Sequence, residues 1–193
     1  MKAAKAVSAA ILEGEVPLES DLPVLTDYPP GVRKAEDGKA PEKGPGILVS
    51  WLIRQPFPAT LRLIPRCLHL GIGCRKGTDA ETIQRAVTGV LARYNIDQRA
   101  LKCAASIDLK AGEPGLLEFC RGEDLPLSCY SAEELLAVPG EFAHSDFVES
   151  ITGVDNVCER AAMMHADRLI IPKTVCDGVT VAAAVEMKEV SFE

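Results

Sequence analysis

The chain has 193 residues, of which 47% are apolar and 25% charged, and its net charge is −7. These proportions suit a globular chain with one full core and a smaller appendage. They argue against nucleic acid as a partner, because no Lys/Arg tract or basic–aromatic interleaving is present, and against a membrane span, because no run approaches the ~20 apolar residues one needs.

The first predicted element is a short helix over residues 1–14, with Ala3, Val7, Ala10 and Ile11 on one face. Its apolar run is too short for a signal peptide and lacks a cleavage site, so the cytoplasm is the expected compartment. Residues 15–46 change character. Pro17, Pro23, Pro29, Pro30, Pro41 and Pro45 interrupt every regular pattern, and residues 32–46 are expected to be a loop or linker. Short strands are expected over 47–53 and 60–64, stopped by Pro56 and Pro65. This first third carries β and turn signals but little material for a core of its own.

A regular alternation begins at Cys67. A strand over 67–72 is followed by an amphipathic helix over 80–94, with Ile83, Ala86, Val87, Val90 and Leu91 inward. The next strand, 101–107, is small and apolar throughout, as expected when both faces are covered. A helix over 113–121 has Pro114 in its first turn. A strand over 127–130 leads to a helix over 131–138, opened by the capping box Ser131-Ala132-Glu133-Glu134. Helices over 145–151 and 157–166 follow, then strands over 169–171 and 179–187 whose short connection predicts an antiparallel hairpin. The alternation predicts an α/β fold: a three-layer, sandwich-like domain with a mostly parallel central sheet and a C-terminal antiparallel hairpin. A ligand would lie at the loops beyond the strand C-termini.

The seven cysteines are odd in number and form no C-x-x-C pair. Buried reduced thiols are expected rather than disulfides or a zinc site, so no metal-ligating residue is assigned.

The segment Leu68-His69-Leu70-Gly71-Ile72-Gly73-Cys74-Arg75-Lys76-Gly77-Thr78 runs from the strand into the first regular helix. Thr78-Asp79-Ala80-Glu81 has the form of a capping box. Backbone N–H groups and a helix start there could meet an anion, or the glycines could simply make the turn. The spacing Gly71-x-Gly73-x-x-x-Gly77 is neither the dinucleotide fingerprint nor a P-loop.

Other loops add ionisable groups. Lys110 and Glu113, three apart, are either a solvated ion pair or a carboxylate-binding cation beside a general base. Lys173, after an apolar strand, either snorkels to water or binds an anion. Glu159 lies beside Ala161 and Ala162 on a helix meant for burial, as a satisfied structural carboxylate or a catalytic one. Cys74 follows the glycines near a helix start, but no histidine partner for a nucleophilic thiol is identifiable.

Five ordered segments carry a resemblance: Leu-Gly-Ile-Gly-Cys-Arg-Lys-Gly-Thr (70–78), Ser-Ile-Asp-Leu-Lys-Ala-Gly-Glu-Pro-Gly-Leu (106–116), Tyr-Ser-Ala-Glu-Glu-Leu (130–135), Ser-Asp-Phe-Val-Glu-Ser-Ile-Thr-Gly-Val (145–154) and Ile-Pro-Lys-Thr (171–174). Over residues 67–188 the chain resembles the C-terminal domain of the CbiG family of cobalamin biosynthesis, the cobalt-precorrin-5A hydrolases, and the related single-domain CobE proteins. Residues 1–66 then resemble the end of the linking region before that domain, Pro/Gly-rich and partly disordered, with 67–193 as the α/β domain. The family's distinct N-terminal domain has no counterpart in this sequence.

The resemblance implies hydrolysis, in the anaerobic pathway, of the δ-lactone of cobalt-precorrin-5A, with release of acetaldehyde to give cobalt-precorrin-5B. A non-catalytic tetrapyrrole carrier of the corrin pathway is the alternative. No cofactor is expected, since cobalt belongs to the substrate. The implied partners are the cobalt-precorrin, other corrin-pathway enzymes or a second copy of the chain. Glu113 is the first choice for the catalytic base and Glu159 the second. Gly71, Gly73, Arg75 and Gly77 would shape a loop for a carboxylate or oxyanion. Lys110 and Lys173 would pair with substrate carboxylates, and Ser145 and Thr174 would orient water or a carboxylate.

Overall fold

The fold is taken from a computed structural model that describes residues 2–36, 44–143 and 150–192. The chain divides into two compact units, Met1–Pro65 with Lys188–Glu193, and Arg66–Met187. No helix among the described residues is long and apolar enough to cross a membrane.

The first unit holds helix α1 (Lys2–Glu13) and four strands, β1 (Val16–Ser20), β2 (Val32–Lys34), β3 (Pro45–Val49) and β4 (Ala59–Leu63). They form a parallel sheet of order β2-β1-β3-β4. Val7, Val16, Leu18, Ile47 and Val49 cluster in its core, with Ile11, Tyr28, Val190 and Phe192 packed around them. Val190 pairs with Val24, so the last residues of the chain complete this unit. The expectation of little core is therefore corrected, and residues 32–34 and 45–46, expected in a loop, are strand, while 37–43 lie outside the described residues.

Pro17 and Pro45 misled because they occupy strand positions that need no donor. Pro45 is the first residue of β3. In β1 the Val16 N–H donates to the Gly31 carbonyl, and the Leu18 carbonyl accepts from Ala35, so both residues bond towards β2. Pro17 faces the other neighbour, where the β1–β3 ladder only begins at Leu18.

The second unit is the α/β domain. Its strands are β5 (Leu68–Gly73), β6 (Leu101–Ile107), β7 (Leu127–Tyr130), β8 (Arg168–Cys176) and β9 (Val179–Val185), in the order β7-β6-β5-β9-β8. β5, β6 and β7 are parallel, and β9 runs antiparallel to both of its neighbours. Four of the five strands therefore share one direction, and β8–β9 is the expected hairpin. Its turn is Asp177-Gly178, with φ of 50° and 77°. Positive φ at both central residues is the two-residue turn that matches strand twist.

Helices α2 (Ala80–Arg93) and α3 (Pro114–Gly122) pack side by side. Helices α4 (Ala132–Leu136) and α5 (Val157–Met163) also contact one another, with α5 lying on β5, β6 and β9. The α5 face of the sheet is built from small residues. Cys158 and Ala162 cluster with Ala182 and Ala184. A Cβ on Gly71 would stand 1.8 Å from the Cys158 carbonyl oxygen, so only glycine admits the helix at this distance. The neighbouring Leu70 and Ile72 are wholly buried and point to the opposite face by strand alternation. Arg160 ties α5 to α4: it pairs with Asp155 at 2.7 Å and donates to the carbonyls of Leu135 and Val138 at the end of α4.

One local expectation changes. The capping box at Thr78 does not form. Asp79 is the N-cap of α2, accepting from the Thr82 N–H at 2.7 Å, while the Thr78 hydroxyl donates to the Arg75 carbonyl. A carboxylate at the cap gains from the helix dipole in a way a hydroxyl does not. The capping box at Ser131 does form, with Glu134 reaching back to the Ser131 N–H at 2.7 Å. The predicted helix over 145–151 falls mostly outside the described residues.

Candidate functional site

The C-terminal ends of β5 and β6 open on a cleft of about 900 Å³, at the upper end of the range for small-molecule sites. Its walls come from four places: Gly73 to Lys76 after β5; Ser106, Ile107 and the segment from Leu109 to Pro114 after β6; Ile151, Thr152 and the start of α5; and Lys173, Val175, Gly178 and Thr180 of the hairpin. Among the described residues four cations line it, Arg75, Lys76, Lys110 and Lys173, against one carboxylate, Glu113. This is a local excess of positive charge in a chain of net charge −7.

The β5 loop and the β6 loop are joined through Glu113. Its Oε1 accepts the Gly77 N–H at 2.6 Å, and its Oε2 lies 3.2 Å from the Lys110 Nζ. The Gly77 N–H holds the Glu113 carboxyl below the usual range, with Lys110 and Lys76 acting in the same sense. The side chain is therefore ionised at neutral pH, and its basicity is reduced by the same contacts. Gly77 has a φ of +81° with open space around it, so glycine there serves the turn. Gly115 lets α3 approach: a Cβ would meet the Thr78 carbonyl oxygen at 2.0 Å. The approach helps bring the Glu113 end of α3 up to the β5 loop.

Glu159 stands differently. It is buried, and its two oxygens accept the Lys173 N–H at 2.6 Å, the Asn156 side-chain amide at 2.6 Å and the Ala143 N–H at 3.1 Å. Asn156 also caps α5 through the Glu159 N–H at 3.0 Å. Glu159 is absent from the cleft wall and instead fixes the backbone from which Lys173 projects. Three N–H donors meet the hydrogen-bonding needs that burial of a carboxylate creates.

The predicted residues thus divide. Gly73, Arg75, Lys110, Glu113 and Lys173 line one cleft. Gly71 lies inside β5 under α5, and Gly77 is spent on the turn and on Glu113. Lys173 and Thr174, expected in a loop, lie within β8, which runs on to Cys176. Lys173 and Val175 face the cleft, and Thr174 between them points away and donates its hydroxyl to the Pro172 carbonyl at 2.9 Å. Ser145 lies outside the described residues.

Several wall residues escaped the sequence reading. Ser106 is buried and donates to the Ile72 carbonyl at 2.7 Å, and Thr180 donates to the Gly73 carbonyl at 3.2 Å. Leu109, Ile151 and Val175 present apolar side chains. Their positions follow from strand pairing and from the turn after β6, which periodicity does not reveal. The Asn156-x-x-Glu159 spacing, by contrast, was readable as a cap.

All seven cysteines are free thiols. Cys67, Cys120 and Cys158 are buried and the other four are half-buried. Burial pushes the Cys74 thiol up despite nearby Lys110, and pushes Cys158 to about 11. Neither is an activated nucleophile. No cluster of metal-ligating side chains occurs among the described residues. A second hollow, of about 640 Å³, lies where β6 begins; there Arg99 pairs with Asp97, Arg66 lies near Asp124, and Glu123 accepts from the Gln98 side-chain amide.

Fold and site define an α/β domain with a cation-lined cleft at its sheet ends. Residues 68–184 match the family described as "Cobalamin synthesis G C-terminus". The chain belongs to this family of vitamin B12 biosynthesis. It is 31% identical over 125 residues to the cobalt-precorrin-5A hydrolase of Salmonella typhimurium, covering 64% of this chain and 36% of that protein. It is 34% identical over 121 residues to Protein CobE of a Sinorhizobium species, covering 61% of this chain and 79% of that protein. The crystal structure of a CobE from the cobalamin pathway superposes with a TM-score of 0.57 at 29% identity, covering 62% of this chain and 89% of that one. The chain spans about a third of the length of the hydrolases it matches.

Proposed function

We propose that the cleft binds cobalt-precorrin-5A and opens its δ-lactone by addition of water, so that the two-carbon fragment leaves as acetaldehyde and cobalt-precorrin-5B remains. The observation that carries this reading is the Lys110–Glu113 pair, set among Arg75, Lys76 and Lys173 in the cleft. A polycarboxylate macrocycle needs several cations around it, and a lactone opening needs a carboxylate near the attacking water. Cobalt enters as part of the substrate, and no resident metal is assigned.

In this reading Lys110, Lys173 and Arg75 take peripheral carboxylates of the substrate. Glu113 is the base. Free, it is a weak one, because Lys110 and the Gly77 N–H stabilise its charge. A substrate carboxylate that draws the Lys110 ammonium away raises the proton affinity of Glu113 when water is in place. Glu159 acts at one remove, as a positioning residue that fixes the Lys173 backbone. Ser145 stays an expectation for orienting water or a carboxylate, and Thr174 serves the β8 backbone.

Glu113→Gln keeps an acceptor for Gly77 and removes the base. It should lower acetaldehyde release by about 100- to 10 000-fold, the usual worth of a general base, and leave tetrapyrrole binding within a few-fold. Undiminished turnover would remove Glu113 from this role. The second reading, a carrier that binds the tetrapyrrole without chemistry, is favoured by one observation: the chain covers most of a CobE protein but about a third of a hydrolase. Binding with a spectral change and no acetaldehyde from the unaltered chain would select it.

A further inference from the structure

Three of the most exposed aliphatic side chains in the second unit converge on the cleft. Leu109 is 64% exposed, Ile151 61% and Val175 67%. They come from three separate segments: the turn after β6, the residues before α5, and the end of β8. Scattered exposed aliphatics are ordinary, but a group gathered at the mouth of one cleft marks a binding surface. Beneath them Ile107 and Val157 continue the apolar wall. The cations are interleaved with this surface rather than set apart from it. Lys110 follows Leu109, and Lys173 precedes Val175 by two residues on the same face of β8. Among the described residues, Arg75, Lys76 and Lys173 form no ion pair.

We infer that Leu109, Ile151 and Val175 form an apolar platform for one face of a broad macrocyclic ring, whose carboxylate arms reach down to Lys110 and Lys173. The inference rests on the proposed tetrapyrrole reading and adds a second recognition element to it. Charge alone would hold any small polycarboxylate. Apolar contact with the ring face makes the site select a macrocycle over an acyclic or small-ring polyanion. The same pattern distinguishes this occupant from an apolar protein partner, which would leave the lysines beneath the lip with buried, unpaired charge. The three side chains are specificity-determining and take no part in proton transfer.

The test uses the full chain and two probes, titrated calorimetrically at fixed low salt. Cobyrinic acid is a cobalt corrin with free carboxylates, and mellitate carries its carboxylates on a single benzene ring. The variant L109S/I151T/V175T changes only exposed positions, and V175T keeps the branched shape that suits a strand. Cobyrinate should bind the unaltered chain more tightly than mellitate does. Each substitution should weaken cobyrinate by about three- to tenfold, from lost apolar contact, and leave mellitate unchanged. The single variant L109S, outside any strand, should show its share of the loss alone. Equal cobyrinate affinity for the chain and the triple variant overturns the platform and leaves the cationic cleft standing. Failure of the unaltered chain to bind cobyrinate overturns both the platform and the tetrapyrrole reading. A change from dimer to monomer on sedimentation, with cobyrinate affinity unaltered, makes the lip a contact between copies and also overturns it.

Discussion

Lys110 and Lys173 sit on the same cleft but differ in what holds them. The Lys110 ammonium faces Glu113, whereas the backbone of Lys173 is pinned by Glu159. Replacing either by alanine should weaken binding of a carboxylate-bearing tetrapyrrole by roughly 10- to 100-fold, the worth of one charge-assisted hydrogen bond. The loss should shrink as salt is raised, because a partly solvated ion pair is screened. Titrations of each variant at two salt concentrations check this, and unchanged low-salt affinity would remove that lysine from carboxylate recognition. A further asymmetry is expected. Lys110→Ala should also raise the proton affinity of Glu113, moving the acid limb of the pH–rate profile to higher pH, and Lys173→Ala should not.

At the scale of elements, the site depends on how closely α5 and α3 approach the sheet. Gly71→Ala would drive a methyl into the Cys158 carbonyl oxygen, and the atoms it meets are all helix backbone, so strand and helix would have to move apart. Overpacking of this kind costs at least about 1–3 kcal/mol, which thermal or urea unfolding will read directly. Full stability in Gly71→Ala would contradict the close packing described. Most helices and strands of this domain were legible because their apolar periods are clean and their caps are polar residues in the right places. Strand β6 and strand β7 were legible end to end. The cleft was legible only in part. Lys110, Glu113 and Lys173 declared themselves by charge beside apolar strands, but the direction of Lys173 against Thr174 depends on the register of β8 with β9. The split between Glu113 and Glu159 was also hidden, because it depends on which N–H groups the fold brings to each carboxylate. The first unit was misread because proline was taken as a breaker, where strand edges and unbonded ladder positions tolerate it.

For the whole molecule, charge is distributed against the average. A chain of net charge −7 carries a cleft lined, among the described residues, by four cations and one carboxylate, a local field that favours an anionic ligand there. Stability has its own pH signature. His69 is buried in β5, with its Nε2 3.3 Å from Glu186 and its Nδ1 3.3 Å from the Cys103 thiol. Burial pushes its pKa below the ordinary value, with Lys102 and His165 in the same sense and Glu186 opposing. The unfolded chain therefore binds this proton first, and stability contributed by neutral His69 is lost as pH falls below about 6.5. Urea midpoints at pH 7.5 and 5.5 should fall less in His69→Gln than in the unaltered chain. An equal fall in both would mean that His69 is not held neutral.

The whole chain also bears on catalysis, because it spans about a third of the hydrolases it resembles. The proposed lactone opening in this cleft is tested most directly by the acetaldehyde formed when the chain is mixed in stoichiometric amount with cobalt-precorrin-5A. The expected result is about one acetaldehyde per tetrapyrrole, formed about 100- to 10 000-fold more slowly by Glu113→Gln. Tetrapyrrole bound by the unaltered chain with no acetaldehyde released would contradict lactone opening by this cleft.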